Sequence, residues 1–400
     1  MRFDINEALT RDEALHELIS RWDMTGKTET IALSDALGRI CAHDVCANYD
    51  LPRCRVAALD GIAVRSEDFA SGAPDTSQWT LGNEYVLADT GDDFPDGYDT
   101  VISAENIERN ADGSVVINDA YDFVAGACVR KAATLMAEGD VICKQYEKIT
   151  PERISLLASA GYVMVDVIAK PVVGFIPTGT ELIEAGNIPV RGENVDSNSY
   201  LFGAYAQLWG ANFLRHDIVL DDKQKLSDAL DWAIDAADII IINGGSSRGS
   251  EDFNSYLLQE KSTFFKHGVK TVPGRPVGFA VINGKPVVNI PGPVNAASIA
   301  ADWLLKGLIH AFLHQDTPQR VSVEAKLDHN VWTKPGCEKV EKVVLSYDKE
   351  GTLIASPAPN KLVDSMRMVN GVAYLDYPVE YVAGDMLEVE LLGSERAPIA

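Results

Sequence analysis

The stretch from 171 to 312 constrains this chain most, because short apolar runs alternate there with amphipathic segments. Pro171-Val172-Val173-Gly174-Phe175-Ile176 reads as a strand, and DSNSYLFGAYAQLWGA as a helix that Ser197 or Asn198 caps and Gly210 ends. NFLRHDIVL reads as the next strand. Asp221 or Asp222 then caps KQKLSDALDWAIDAA, whose Leu226, Leu230, Ala233 and Ile234 share one face. The run DIIIIN fits a strand buried on both sides, so the alternation predicts a mostly parallel sheet with helices on both faces.

Ligands of such sheets sit beyond the carboxyl ends of the strands. Three loops should gather there. PTGTELIEAG follows the first strand, and GGSSRGS follows the isoleucine run and opens a helix over 251–260. The third region, VPGRPVGFAVINGKPVVNIPGPVNAAS, contains a hairpin turn at Ile282-Asn283-Gly284 and a helix from the PGPV turn through Leu308. The second loop matches neither GxGxxG nor GxxxxGK[ST], which disfavours dinucleotide and Walker-type binding.

Four hundred residues suggest two to four domains, at about 100–200 residues each. With 46% hydrophobic and 24% charged residues the chain should fold as a globular protein. No apolar run reaches the roughly 20 residues that span a bilayer, and the N-terminus lacks a basic region followed by an apolar one, so a cytoplasmic address is expected. A net charge of −24 argues against nucleic acid and anionic membranes as partners. Anionic ligands must be captured locally, by backbone N–H groups and a few arginines. The six cysteines (Cys41, Cys46, Cys54, Cys128, Cys143, Cys337) contain no CxxC pair, so neither a disulfide framework nor a zinc site is expected. Cys41, His43 and Cys46 are assigned no role.

The motifs TGTEL (178–182), DSNSYLF (196–202), GGSSRGSEDF (244–253), PGRP (273–276) and IPGPVNAAS (290–298) resemble, in order, those of the MoeA family, the molybdopterin molybdenumtransferases similar to the gephyrin E domain. ALDGIAVR at 58–65 resembles the family's MDGYAVR, and DTGDDFPDGYDTVI at 89–102 its TGAxxPxGxDAVV. The resemblance implies a multidomain α/β and β protein. Residues 1–50 with 139–170 would form a mixed domain, 51–138 a β-rich insertion, 171–315 a molybdopterin-binding α/β domain and 318–400 a C-terminal β-barrel. The alternating strands RVSVEAKL, EKVVLSYD, GVAYLDY and MLEVELL independently indicate an all-β ending.

The family's activity, carried over as an expectation, inserts molybdate into adenylylated molybdopterin with Mg2+ and releases AMP. It works as a homodimer that serves a molybdoenzyme acceptor. Cleaving a phosphoanhydride calls for a hard divalent cation held by carboxylates. The resemblance places Asp60, Glu181 and Asp221 in that catalytic and metal-binding role. Its cofactor-binding positions are Thr90, Thr178, Gly179, Asp196, Asn198, Gly244, Gly245, Ser246, Ser247, Gly249, Asp252, Lys270, Pro273, Gly274, Arg275, Pro291 and Gly292, with Arg248 as a further cation. Simpler readings stand beside these. Asp221 can be an N-cap, Asp60 a turn residue, Arg275 a solvated cation, and Thr90 and Asp252 turn hydroxyl and carboxylate.

The departures are specific. Leu135 stands where the family carries a carboxylate, and Val272 where it carries a lysine, with Lys270 two residues earlier on the same face of an extended strand. PGNPVS becomes Pro291-Gly292-Pro293-Val294-Asn295-Ala296, MDGYA becomes LDGIA, and an arginine becomes Lys342, which cannot fork onto an oxyanion. Two rivals to an insertase follow. One is a carrier that binds molybdopterin or its metal-loaded form without cleaving anything; the other is an enzyme acting on a different nucleotide pyrophosphate.

Overall fold

The computed structural model describes residues 7–245, 253–377 and 379–393. The chain divides into two compact units, one running from Thr28 to Ile168 and one combining the N-terminal stretch through Lys27 with the chain from Ala169 onward.

In the second of these, six strands form a sheet in the order Asn212–Arg215, Val172–Pro177, Ile239–Asn243, Lys285–Ile290, Gly278–Ile282, Phe264–His267. The first four are mutually parallel, and the last two join antiparallel through the hairpin. Ile239, Ile240, Ile241 and Ile242 are all buried, as a strand covered on both faces requires. Ile240 and Ile242 pack with Leu226, Leu230, Ala233 and Ile234 of the Lys223–Ala236 helix. On the other face, Phe175 meets Phe202 of the Asn198–Leu208 helix, ring centroids 5.1 Å apart. The hairpin turn has Asn283 and Gly284 at φ of 50° and 72°, the left-handed pair of a type I′ turn.

Of the two capping candidates Asp222 is the one that caps the Lys223–Ala236 helix, accepting from the N–H groups of Gln224 and Lys225. Three other local readings need correction. Neither Ser197 nor Asn198 caps its helix with a side chain; Asp196 accepts from Ser199 N–H instead. The NFLRHDIVL strand stops at Arg215, with Val219 returning only as an isolated bridge to Thr178. The last helix of the layer is interrupted, running as Val294–Ala300, one π turn over Ala301–Leu305, then Lys306–Phe312.

After Phe312 the chain builds a barrel. Strands Ser322–Leu327, Glu338–Tyr347, Leu353–Pro357, Gly371–Leu375 and Met386–Leu391 pair in a closed ring around Ala325, Leu327, Val343, Leu345, Ala355 and Val389. Closure removes the exposed edges of an open sheet. A two-residue strand, Thr271–Val272, adds in parallel to Glu338–Lys339 on this ring.

The Thr28–Ile168 unit joins Thr28–Ala32 to Met164–Ile168 antiparallel, and Val45–Cys46 to Val141–Cys143. The helix Pro151–Ser159, capped by Thr150, packs beside them. Its inserted part centres on three strands, Tyr85–Ala88, Gly61–Val64 and Thr100–Ser103. Gly61 is obligatory there, because a Cβ would lie 2.0 Å from the carbonyl oxygen of Ile102.

Candidate functional site

The site begins where the sheet's strands end. Thr178, buried, donates its N–H to the carbonyl of Asn243 (2.9 Å), and Gly244 donates to the carbonyl of Ile290 (3.0 Å). Asn243 itself is a polar residue closing an isoleucine run, 4% exposed. Its Nδ2 donates to the carbonyl of Pro291 (2.9 Å), and its Oδ1 accepts from Nδ2 of Asn198 (2.9 Å). Asn198 also donates to the carbonyl of Gly292 (2.7 Å), and Asn254 donates to the carbonyl of Gly244 (2.9 Å). Buried amides thereby tie the loops at 178, 244 and 291 into one edge. Gly244 has φ of 120° and a Cβ there would stand 2.1 Å from the carbonyl oxygen of Thr178. At Gly245, with φ of 54°, a Cβ would meet Nδ2 of Asn254 at 2.6 Å.

Of the carboxylates, Asp221 is freed from capping and turned to the first loop. Its Oδ2 accepts from both the N–H (3.1 Å) and the hydroxyl (2.9 Å) of Thr180. Glu181 is exposed and folds back over Gly179, where a Cβ would meet its carboxylate oxygens at 2.7 and 2.8 Å. Asp60, in the other unit, repeats the Asp221 pattern: Oδ1 accepts from the N–H (2.6 Å) and hydroxyl (2.7 Å) of Thr90. These bonds, the hydroxyl foremost, hold the Asp60 carboxyl below the usual range. Asp196 is 3% exposed and internally matched, by Arg215 (2.9 Å) and the Ser199 hydroxyl, while Arg215 also grips Glu184 at 2.9 Å through both carboxylate oxygens.

The remaining positions distribute more widely. Lys270 lines a cavity of about 420 Å³ with Thr10, Arg11 and Glu338, and its N–H donates to the carbonyl of Leu9 (2.8 Å). Gly274, at φ of 106°, lies beside the turn after Pro293, 3.9 Å from the Ala296 carbonyl to a built Cβ. Pro273 connects it to the barrel-bound strand, and the carbonyl of Arg275 accepts from Val269 N–H (3.0 Å). Ser246, Ser247, Arg248, Gly249 and Asp252 lie outside the described residues, and the helix expected over 251–260 is described as Phe253–Lys261. Leu135, standing at the family's carboxylate position, is 59% exposed. Lys342 donates to the Ser298 hydroxyl (2.8 Å) and lines a cavity of about 560 Å³ between the last helix and the barrel, with Lys306, Arg320 and Asp302.

Among the described residues no three His, Cys, Asp or Glu side chains converge as a metal cluster. Glu181 and the open oxygen of Asp221 still suit magnesium, which is commonly held by one or two carboxylates with the rest of its octahedron from water and substrate phosphate. Sequence reasoning missed Thr180, Asn243, Asn254 and Arg215. Only Asn243 left a signal, an amide at the end of an otherwise apolar run.

A mostly parallel sheet with amide-tied loops at its strand ends, followed by a closed barrel and accompanied by a β-rich unit, defines a multidomain α/β ligand-binding protein. Comparison with known families narrows this class. A family model described as "MoeA N-terminal region (domain I and II)" matches residues 7–161, and one described as "Probable molybdopterin binding domain" matches residues 174–311. The chain belongs to the MoeA family. It is 29% identical to the molybdopterin molybdenumtransferase of Bacillus subtilis, over 96% of this chain and 94% of that protein. It is 28% identical to the enzyme of the same name from Haemophilus influenzae, over 75% and 77%. The solved MoeA protein of Pyrococcus horikoshii superposes with a TM-score of 0.79 at 25% identity, covering 96% of this chain and 99% of the other.

Proposed function

We infer that the protein is a molybdopterin molybdenumtransferase that acts in molybdenum cofactor biosynthesis, taking adenylylated molybdopterin and molybdate and releasing AMP. The observation that carries this reading is Asp221. With Asp222 doing the capping, Asp221 has no helix to serve, and it is held by Thr180 through one oxygen, the other making no hydrogen bond among the described residues. Glu181 stands one residue further along the same loop.

The loops at 178, 244 and 291 offer backbone groups at strand ends, where a pterin phosphate would be received. Magnesium would be held by Glu181 and Asp221, with the rest of its coordination from water and substrate phosphate, and would supply charge neutralisation at the phosphoanhydride. Thr180 and Thr90 each fix one oxygen of their aspartate through an N–H and a hydroxyl. In the larger cavity Arg320 is paired with Asp302 and Glu390, and Lys306 and Lys342 are the cations that would meet an oxyanion such as molybdate. The domain division given above, a homodimeric state, a cytoplasmic location and a molybdoenzyme acceptor belong to the same reading.

The carrier reading is favoured by one observation, the exposed Leu135 in place of a carboxylate. Purified protein mixed with adenylylated molybdopterin, Mg2+ and molybdate decides between them. AMP release coupled to activation of a molybdenum-free apo-enzyme is expected; tight pterin binding without AMP would make the protein a carrier.

A further inference from the structure

Two of the scattered cysteines meet inside the Thr28–Ile168 unit. Cys41 and Cys143, 102 residues apart in sequence, are both 0% exposed, and their Sγ atoms stand 2.7 Å apart, inside the contact distance of unbonded sulfurs. Their backbones are fixed independently of the sulfurs. Cys41 donates its N–H to the carbonyl of Glu147 (2.9 Å), accepts from Tyr146 N–H (2.9 Å) and bridges Val167. Cys143 faces Val45 across the antiparallel pair. Leu33, Ala36, Ile149, Leu157 and Val165 enclose the two thiols. No third metal-ligating side chain joins them among the described residues, so a structural zinc, which needs four ligands, does not account for the pair.

We propose that Cys41 and Cys143 form an oxidisable pair that closes to a disulfide across the base of the β-rich insertion, with a hydroperoxide as oxidant. Burial, and for Cys41 the adjoining thiol as well, keeps both groups protonated in the closed unit, so reaction waits on local opening. On opening, one thiolate attacks hydrogen peroxide: the O–O bond breaks, a sulfenic acid forms and hydroxide leaves. The second sulfur then displaces hydroxide from the sulfenic sulfur, forming the S–S bond. Two thiols lose two electrons in all, and one peroxide becomes two waters. The ring so closed contains residues 42 to 142, and a cross-link around a loop that long restricts the unfolded chain strongly.

The full chain carrying Cys54→Ser, which removes an exposed competing thiol, is titrated with hydrogen peroxide, quenched, unfolded in alkylating reagent and mapped by peptide mass. The expected result is a Cys41–Cys143 linked peptide as the main disulfide, reversed by dithiothreitol, together with a higher urea midpoint in the oxidised form. Cys143→Ala should abolish that shift; if it fails to fold, the linked peptide and midpoint of the parent decide alone. Full alkylation of both residues under peroxide that oxidises Cys46 or Cys128, sulfinic acid at Cys41 beside a free Cys143, or an unchanged midpoint in the linked protein would each overturn the proposal.

Discussion

Asp221 receives two hydrogen bonds on a single carboxylate oxygen, both from Thr180, and Asp60 receives the same pair from Thr90. A threonine that offers N–H and hydroxyl together fixes one carboxylate oxygen and takes no part in holding the other. Thr180→Val keeps the shape and the N–H but removes the hydroxyl. AMP release should fall about tenfold, the scale of one lost bond to a charged group, with thermal stability unchanged. Thr180→Ser should restore most of the rate, and a Thr180→Val enzyme with full turnover would remove this clamp from the mechanism.

Asn243→Ala deletes the amide that holds Asn198 and the Pro291 carbonyl. Leaving buried polar groups unpaired costs about 1–3 kcal/mol each, so the denaturation midpoint should drop. Pterin affinity should weaken further than stability alone explains. Asn243→Asp, which keeps the acceptor but loses the donor to Pro291, should fall between.

Gly244→Ala places a methyl 2.1 Å from the Thr178 carbonyl at a φ of 120°. The strand ends must separate to admit it, at a cost of about 1–3 kcal/mol. Binding of molybdopterin by calorimetry should be lost while far-ultraviolet circular dichroism stays native.

Arg215→Ala leaves Asp196 buried without its cation, and breaking such a pair costs about 3–5 kcal/mol. The unfolding midpoint should fall sharply. Asp196→Asn in the same chain should recover part of the loss, which a purely steric role for Arg215 would not allow.

The Asp60 carboxyl is held low by Thr90, so its contribution to stability is present above the ordinary aspartate pKa of about 3.9 and is lost as pH falls through the lower folded value. Thr90→Val should return the Asp60 titration upward, toward the ordinary range, by carbon-detected NMR. No change in the titration would show that the Thr90 bonds do not persist in solution.

Much of this architecture can be read from the residues. The isoleucine run, the Asn-Gly turn and the alternating strands after residue 318 carry their periodicity locally, and the sheet, hairpin and barrel follow. Choices between adjacent residues are harder. Asp221 and Asp222 are the same side chain one position apart, and only the path of the 178–182 loop decides which one caps and which one turns to Thr180. The amides of Asn198 and Asn243 meet, and Asn254 reaches the carbonyl of Gly244, because the strand ends lie together; Cys41 reaches Cys143 across 102 residues, and no spacing rule encodes either. The π turn at Ala301–Leu305 adds one residue to a helix whose apolar pattern reads as continuous.

The short strand Thr271–Val272 hydrogen-bonds to the barrel's Glu338–Lys339, while the chain on either side of it belongs to the α/β layer. Pro273 and Gly274 are therefore anchored like a bracket screwed to a neighbouring wall. A chain shortened after Phe312 would retain every strand of the six-stranded sheet and still lose the support for this loop. Evolution can in turn retune the loop through barrel positions that never touch a ligand.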